Sequence, residues 1–291
     1  MDSNSLHAFV TVADKASFSL AAEQLYLTQS AISKRIALLE EQLDSKLFDR
    51  IGRKVSLTEA GNTLLPQARQ ILRQLQDAKR SLHNLQGQVS GNLSMAASHH
   101  ISLHRLPPVL RRFTKECPEV DLDLRFDASE IAYEGVLKGD LELALITLSP
   151  QPHKQIHAQK VWDDPLRYVV SPDHPLASKP SVSLEELTAY NAILSGSATF
   201  TRQIAAQQFS HPELRLKTAM STNYLDTIRM MVKIGLGWSL LPDTMINQDL
   251  SVLNVNAPPV SRQLGYISHK ERTLSKAAQR FIEMLDADSG T

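Results

Sequence analysis

The chain has 291 residues, enough for about two domains of ordinary size, and its 42% hydrophobic and 21% charged composition excludes disorder as the dominant state. A single cysteine, Cys117, rules out an internal disulfide, and 31 Lys and Arg residues balance 31 Asp and Glu residues, so any nucleic-acid binding must rest on a local patch. No apolar run approaches the ~20 residues that span a bilayer, and the N-terminus lacks a basic start followed by an apolar stretch, so a reducing, cytoplasmic setting with no membrane attachment is expected.

The first ninety residues read as helices. Leu6, Phe9, Val10 and Ala13 recur at helical spacing and define one apolar face. Ser17 and Ser19 are capping candidates for a second helix, whose buried side is Ala21, Ala22 and Leu25. Small alanines let another helix approach closely. Thr28 starts a third helix, with Ile32, Ile36, Leu39 and Leu43 inside and Gln29, Ser30, Ser33 and Lys34 outside. The run LFDRIGRKVSLT then reads as a hairpin turning at Gly52. Arg50, Arg53 and Lys54 cluster around that turn and form a basic wing suited to phosphates or a minor groove.

From Thr58 to about Val89 the apolar residues are Leu64, Ala68, Ile71, Leu75, Ala78, Leu82, Leu85 and Val89, spaced alternately four and three apart. A narrow apolar seam on a polar rod asks for a partner helix. The alternative is a long helix packed on its own domain. Pro66 removes one backbone hydrogen bond near the start, and Gly87 and Gly91 end the helix.

Beyond residue 91 strands and helices alternate. NLSMAA, VDLDLRF and LELALITL are strand-like, with helices expected at Leu106–Phe113 and Ile131–Leu137. A second cycle follows: LRYVV, a helix at Ser183–Leu187, NAILS, a helix at Thr201–Gln208, LRLKTAM, a helix at Tyr224–Ile234, and WSLLP. RQLGYISH reads as a late strand and Leu274–Leu285 as a final helix. This rhythm predicts an α/β fold with parallel sheets and two subdomains.

The run SFSLAAEQLYLTQSAISKRIALLEEQLDSKLFDR, followed by SLTEAG, resembles the winged helix-turn-helix of the LysR-type transcriptional regulators. Weaker echoes continue in LPPVLRRFTKECPEVDLDL, LKGDLELAL and GLGWSLLP, so the resemblance spans nearly the whole chain. One departure is Asp44, where that family more often has a glycine after the recognition helix; Asp tolerates left-handed geometry better than most residues. The resemblance implies a winged helix-turn-helix over residues 1–58, a linker and dimerisation helix over 59–90, and a periplasmic-binding-protein-like effector domain over 91–291. Lobe I would span about 91–161 and 265–291, and lobe II about 162–264, joined by crossover strands near Val161 and Leu264. Double-stranded operator DNA, a small-molecule effector and a second copy of the chain become the expected partners. A homodimer through the linker helix is expected, with tetramers common in the family. Neither a cofactor nor an enzymatic activity is expected.

The second helix of a helix-turn-helix enters the major groove, so Gln29, Ser30, Ser33 and Lys34 are the expected base-reading residues. Thr28 at the helix start, and Arg50, Arg53 and Lys54 on the wing, are the expected phosphate contacts. In the second domain an open α/β sheet binds ligands beyond the carboxyl ends of its strands. SHHIS brings Ser98, His99, His100 and Ser102 there; Thr147 ends a strand; SGSATFT brings Ser195, Ser197 and Thr199; Thr222 precedes another helix. These hydroxyl-rich turns point to a small anion or carboxylate, although capping alone explains some of them.

Two other effector signals remain open. His100–x3–His104 and His153–x3–His157 have the spacing at which two histidines can share a metal, without a supporting cysteine or carboxylate. Cys117 could sense redox state, but no resolving partner exists in its own chain. GxSxG, P-loop and CxxC motifs are absent; Gly235–x–Gly237 reads as a helix end, and Asp163–Asp164 before Pro165 as a hinge rather than a catalytic pair.

Overall fold

The computed structural model describes residues 1–51, 54–85 and 88–288. The chain forms two compact units, Met1–Gln86 and Gly87–Thr291.

The first unit begins with three helices, α1 (Ser3–Lys15), α2 (Phe18–Gln24) and α3 (Gln29–Gln42). Each is started by a side chain that accepts from an orphan backbone N–H. Asp2 accepts from the Asn4 and Ser5 amides at 2.8 and 3.0 Å, Ser17 from Leu20 at 3.3 Å, and Thr28 from Ala31 at 3.2 Å. Among the described residues, Ala16 after α1, Tyr26 between α2 and α3, and Asp44 after α3 turn the chain with positive φ. Leu6, Phe9, Ala21, Ala22, Ile32 and Ile36 form the buried centre.

A two-stranded antiparallel hairpin follows, β1 (Phe48–Ile51) and β2 (Lys54–Leu57), with Phe48 opposite Leu57. Its turn, with Arg53, lies outside the described residues, as do the side chains of Arg50 and Lys54. The buried Glu40 side chain fixes where the hairpin starts. It accepts from Lys46 Nζ at 2.8 Å and from the backbone amides of Leu47 and Phe48 at 2.9 and 3.4 Å.

Helix α4 (Glu59–Leu85) closes the unit. Its start is pressed onto the hairpin, because a Cβ at Gly61 would lie 2.2 Å from the Leu47 carbonyl oxygen. The expected seam divides in two. Leu64, Ala68 and Ile71 pack against the unit's own core, and Arg69 forms an ion pair with Asp14. Leu75 and Leu82 are 44% and 67% exposed. The first half of the helix is thus packed on its own domain, and only the second half offers apolar side chains outward.

The second unit is α/β. Lobe I contains β3 (Gly91–Ala97), α5 (His99–His104), α6 (Leu106–Glu116), β4 (Val120–Phe126), α7 (Ser129–Lys138) and β5 (Leu143–Thr147). The crossing strand β6 (Ile156–Val170) leads to lobe II, which holds α8 (Leu184–Thr188), β7 (Asn191–Leu194), α9 (Phe200–Gln207), β8 (Lys217–Ser221), α10 (Leu225–Lys233), β9 (Ser239–Pro242) and β10 (Ser251–Val252). Strand β11 (Val260–His269) returns to lobe I, and α11 (Lys276–Asp288) packs there against α6.

The main sheet has the order β10–β6–β11–β5–β3–β4, with β9 also paired to β6. Strand β3 is parallel to both β4 and β5, as crossover helices require, whereas β11 runs antiparallel to β5 and β6. The register of β6 against β11 slips between Leu264 and Gly265, opposite Trp162 and Lys160. A Cβ at Gly265 would sit 2.0 Å from the Gln159 carbonyl oxygen, so only glycine allows the strands to cross this closely.

Lobe I buries Met95, Phe113, Leu145 and Phe281 on one face of the sheet and Ala132, Val136 and Ile146 on the other. Lobe II buries Tyr168, Leu194, Phe209 and Trp238, and the Trp238 indole N–H donates to the Leu187 carbonyl at 2.9 Å. The segment Asp163–Asp164–Pro165, expected as a hinge, lies inside continuous β6, because β11 gives that strand a partner along its length.

Candidate functional site

Two surfaces carry the candidate chemistry. The first is the outer face of α3. Gln29, Ser30 and Lys34 are exposed there and Ser33 is half-buried, while Ile32, Ile36 and Leu39 turn inward. The face is partly ordered in advance: Gln29 Oε1 accepts from Ser19 Oγ at 3.3 Å, and the Thr28 and Ser30 hydroxyls lie 3.0 Å apart. Beside the start of α3 stands Tyr26, which sequence reasoning did not single out. It is 95% exposed and held at φ 53°, a conformation that bulky residues rarely adopt.

The second surface is a cleft of about 590 Å³ within the second unit. Lobe I contributes the end of β3 with the start of α5, the end of β4 with the start of α7, and the end of β5. Lobe II contributes the starts of α9 and α10. Of the expected effector residues, Ser98, His99, His100, Thr147, Ser195 and Thr199 lie on its wall. Ser102, Ser197 and Thr222 do not. The Ser102 hydroxyl turns back to the carbonyls of Ser98 and His99 at 3.1 and 2.8 Å, Ser197 is exposed, and the Thr222 hydroxyl accepts from the Tyr224 amide at 3.4 Å. Even on the wall, the Thr199 hydroxyl is occupied: it caps α9 through the Arg202 amide at 3.1 Å and meets Ser195 Oγ at 2.8 Å.

Arg262, and its pairing with Asp164 beside the expected His100, was not anticipated at the floor of the cleft. Arg262 and Asp164 face each other across β11 and β6 and are almost fully buried. Arg262 Nε donates to Asp164 Oδ2 at 2.6 Å, and its Nη1 donates to Thr201 Oγ1 at 3.2 Å. His100 Nε2 lies 3.8 Å from Asp164 Oδ1. Arg262 Nη2 and both ring nitrogens of His100 are buried with no hydrogen-bond partner among the described residues. Such groups are costly unless something else meets them.

Burial pushes the His100 pKa down, and the neighbouring Arg262 charge adds to this against the pull of Asp164. Burial pushes the Asp164 carboxyl up, but the His100 contact and the Arg262 guanidinium outweigh it and hold the carboxyl below its usual range. The floor is thus an ionised carboxylate paired with a guanidinium, beside a neutral imidazole.

The rim is acidic and partly apolar. Glu130, in the first turn of α7, reaches into lobe II, where its Oε1 accepts from the Phe200 amide at the start of α9 at 2.6 Å. A carboxylate of lobe I thus occupies a helix N-terminus of lobe II, where backbone N–H groups favour negative charge. Asp127 and Asp226 also line the cleft, and Phe126, Ile131 and Tyr224 form an exposed apolar lip. His99 meets Tyr224 edge to face, with ring centroids 5.6 Å apart.

For the other effector signals, the His100 and His104 rings lie 4.7 Å apart, and His153 is exposed. No group of three or more His, Cys, Asp or Glu with metal-holding geometry occurs among the described residues. Cys117 is buried at the end of α6, and burial pushes its thiol pKa up, away from the reactive thiolate. No helix among the described residues is long and apolar enough to cross a membrane.

Residues 3–62 match the bacterial regulatory helix-turn-helix protein, lysR family, and residues 86–289 match the LysR substrate binding domain. The chain is 62% identical over 108 residues to an uncharacterized HTH-type transcriptional regulator of Azotobacter vinelandii, covering 37% of this chain and 75% of that one. It is 30% identical to a probable RuBisCO transcriptional regulator of Synechocystis, across 95% of this chain and 83% of the relative. Among solved structures it is similar to a full-length OxyR variant from Pseudomonas aeruginosa, with a TM-score of 0.71 and 25% identity over 99% of this chain and 94% of that one. A helix-turn-helix with a polar outward face, a two-lobed α/β unit with a cleft, and matches to both parts give one conclusion: the chain belongs to the LysR family of DNA-binding transcriptional regulators, with an effector-binding domain.

Proposed function

We propose that this regulator works in the cytoplasm and reads operator DNA with Gln29, Ser30, Ser33 and Lys34 in the major groove. Thr28, Arg50, Arg53 and Lys54 hold the phosphates. Two copies join through the outer half of α4, so that their recognition helices meet half-sites about one helical turn apart or a multiple of it. Tetramers then arise by pairing such dimers. In the cleft a small anion or carboxylate is the effector, contacted by wall groups among Ser98, His99, His100, Thr147, Ser195 and Thr199.

The observation that carries the effector reading is the buried, unpartnered Arg262 Nη2 at the cleft floor, a donor poised for an oxygen acceptor. The ligand biases DNA binding only by the difference in its affinity for the two arrangements of the regulator. The deciding experiment maps the chromosomal sites the chain occupies and then titrates one of them by fluorescence anisotropy. Ser33→Ala or Gln29→Ala is expected to lower discrimination against random DNA. Arg53→Ala is expected to weaken binding to both DNAs and to flatten the salt dependence. A chain with no preference for any genomic site would sink the DNA-reading assignment of this face.

A further inference from the structure

We infer that the cleft selects a zwitterion: a molecule of amino-acid size whose carboxylate meets Arg262 and whose ammonium group meets Asp127 and Asp226. This rests on the reading of the cleft as the effector site and narrows the chemistry that fits it.

The argument starts at the floor. Arg262 has one nitrogen free, Nη2, because Nε is bound to Asp164 and Nη1 to Thr201. Most of its charge is already matched by the Asp164 carboxylate. The floor therefore offers directed donors and little net positive charge. His100 adds two more buried ring nitrogens without partners on the same wall. Being neutral, the imidazole presents one N–H donor and one acceptor, so a carboxylate meets Arg262 Nη2 and the single imidazole N–H. A doubly charged inorganic anion lacks a compensating cation.

The rim then decides between classes. Among the described residues, the carboxylates of Asp127, Glu130 and Asp226 line the cleft against the one guanidinium of Arg262. Glu130 is engaged with the Phe200 amide, so the chain's own carboxylate already fills the N-terminus of α9. An external anion has no claim on that position. The side chains of Asp127 and Asp226 make no hydrogen bond or ion pair among the described residues. A purely anionic ligand would be repelled by them in a partly desolvated space. A ligand with an ammonium group turns that repulsion into attraction and enters with no net charge. The lip of Phe126, Ile131 and Tyr224 leaves room for an apolar side chain, and about 590 Å³ accommodates a molecule of this size.

The test uses the full chain, thermal-shift screening and calorimetry. The probes are the common α-amino acids and the short ω-amino acids, each beside its deaminated acid and its decarboxylated amine. The expected result is that at least one amino acid raises the melting temperature, while its acid and its amine bind about tenfold more weakly or worse. Asp127→Asn with Asp226→Asn, two changes away from the buried cores, should abolish the preference for the amino acid over its deaminated acid. Arg262→Lys should weaken the amino acid and the acid together. If a deaminated acid binds as well as its amino acid, and the double Asn variant leaves both unchanged, the zwitterion is overturned while the carboxylate effector stands. If amines bind without the carboxylate, or if no probe binds, the zwitterion is equally overturned; amine-only binding also counts against the anionic effector.

Discussion

Glu40 shows how one side chain sets the geometry of a reading head. It sits in a run of two glutamates on α3, and nothing in that run distinguishes it from Glu41. Only the fold brings Lys46, Leu47 and Phe48 to its oxygens. Burial pushes its carboxyl up, but the Lys46 ammonium and those amides outweigh this and hold the pKa below the ordinary value. A depressed carboxylate contributes stability above its unfolded pKa and loses it as pH falls through the folded one. Glu40→Gln should therefore destabilise the helix-turn-helix unit by about 1–3 kcal/mol at neutral pH. The deficit should shrink as the medium is acidified through the carboxylate range. Urea titrations of both proteins across that range measure it, and a deficit independent of pH would mean the charge is not the cause. Arg262 and Asp164, by contrast, left a trace in the sequence. Each holds a position of inward parity on its strand, Arg262 between Val260 and Leu264 and Asp164 between Trp162 and Leu166, where an isolated charge demands a partner.

At the level of elements, the period of the apolar residues revealed most helices and strands, because it depends only on which face is buried. It did not reveal what buries them. The seam on α4 reads as one continuous stripe, yet Ala68 is fully buried within its own unit and Leu75 and Leu82 are exposed. The same spacing serves two different contacts. Two variants of one helix should therefore behave differently. Leu75→Glu with Leu82→Glu should leave the melting of the chain nearly unchanged and convert a dimer to monomers in sedimentation. Ala68→Glu should instead unfold the helix-turn-helix unit, since it forces an unpaired charge into a closed core. If the leucine pair changes neither property, the dimer contact lies elsewhere. Strand β6 illustrates the opposite failure. Its first half, from Ile156 to Val161, alternates weakly, and its pairing with β11 comes from a segment about a hundred residues later. Local sequence holds no record of that partner.

For the whole molecule, the two candidate surfaces differ in legibility for one physical reason. The DNA-reading face lies within a single helix, so its residues keep their spacing in the sequence. The cleft is assembled from stretches near residues 98, 127, 147, 195, 225 and 262, which meet only after folding. Turn chemistry located several of them; Arg262, Glu130 and Asp226 required the fold. The two surfaces are joined by thermodynamics whatever route the signal takes. If the cleft ligand changes affinity for operator DNA by some factor, the operator must change affinity for the ligand by the same factor. Couplings of this kind are typically about 1–3 kcal/mol, a factor of roughly 5 to 150. Fluorescence anisotropy of an operator duplex, with and without saturating ligand, gives one side of the cycle. Calorimetry of the ligand, with and without saturating duplex, gives the other. Equal factors are expected in the full chain. Substituting Asp127 and Asp226 by Asn should lower ligand affinity in both DNA states while leaving DNA affinity in the absence of ligand untouched. A ligand that binds the cleft tightly but shows a factor of one in both measurements would remove it as the regulatory signal, and the search would move to a molecule that distinguishes the two states.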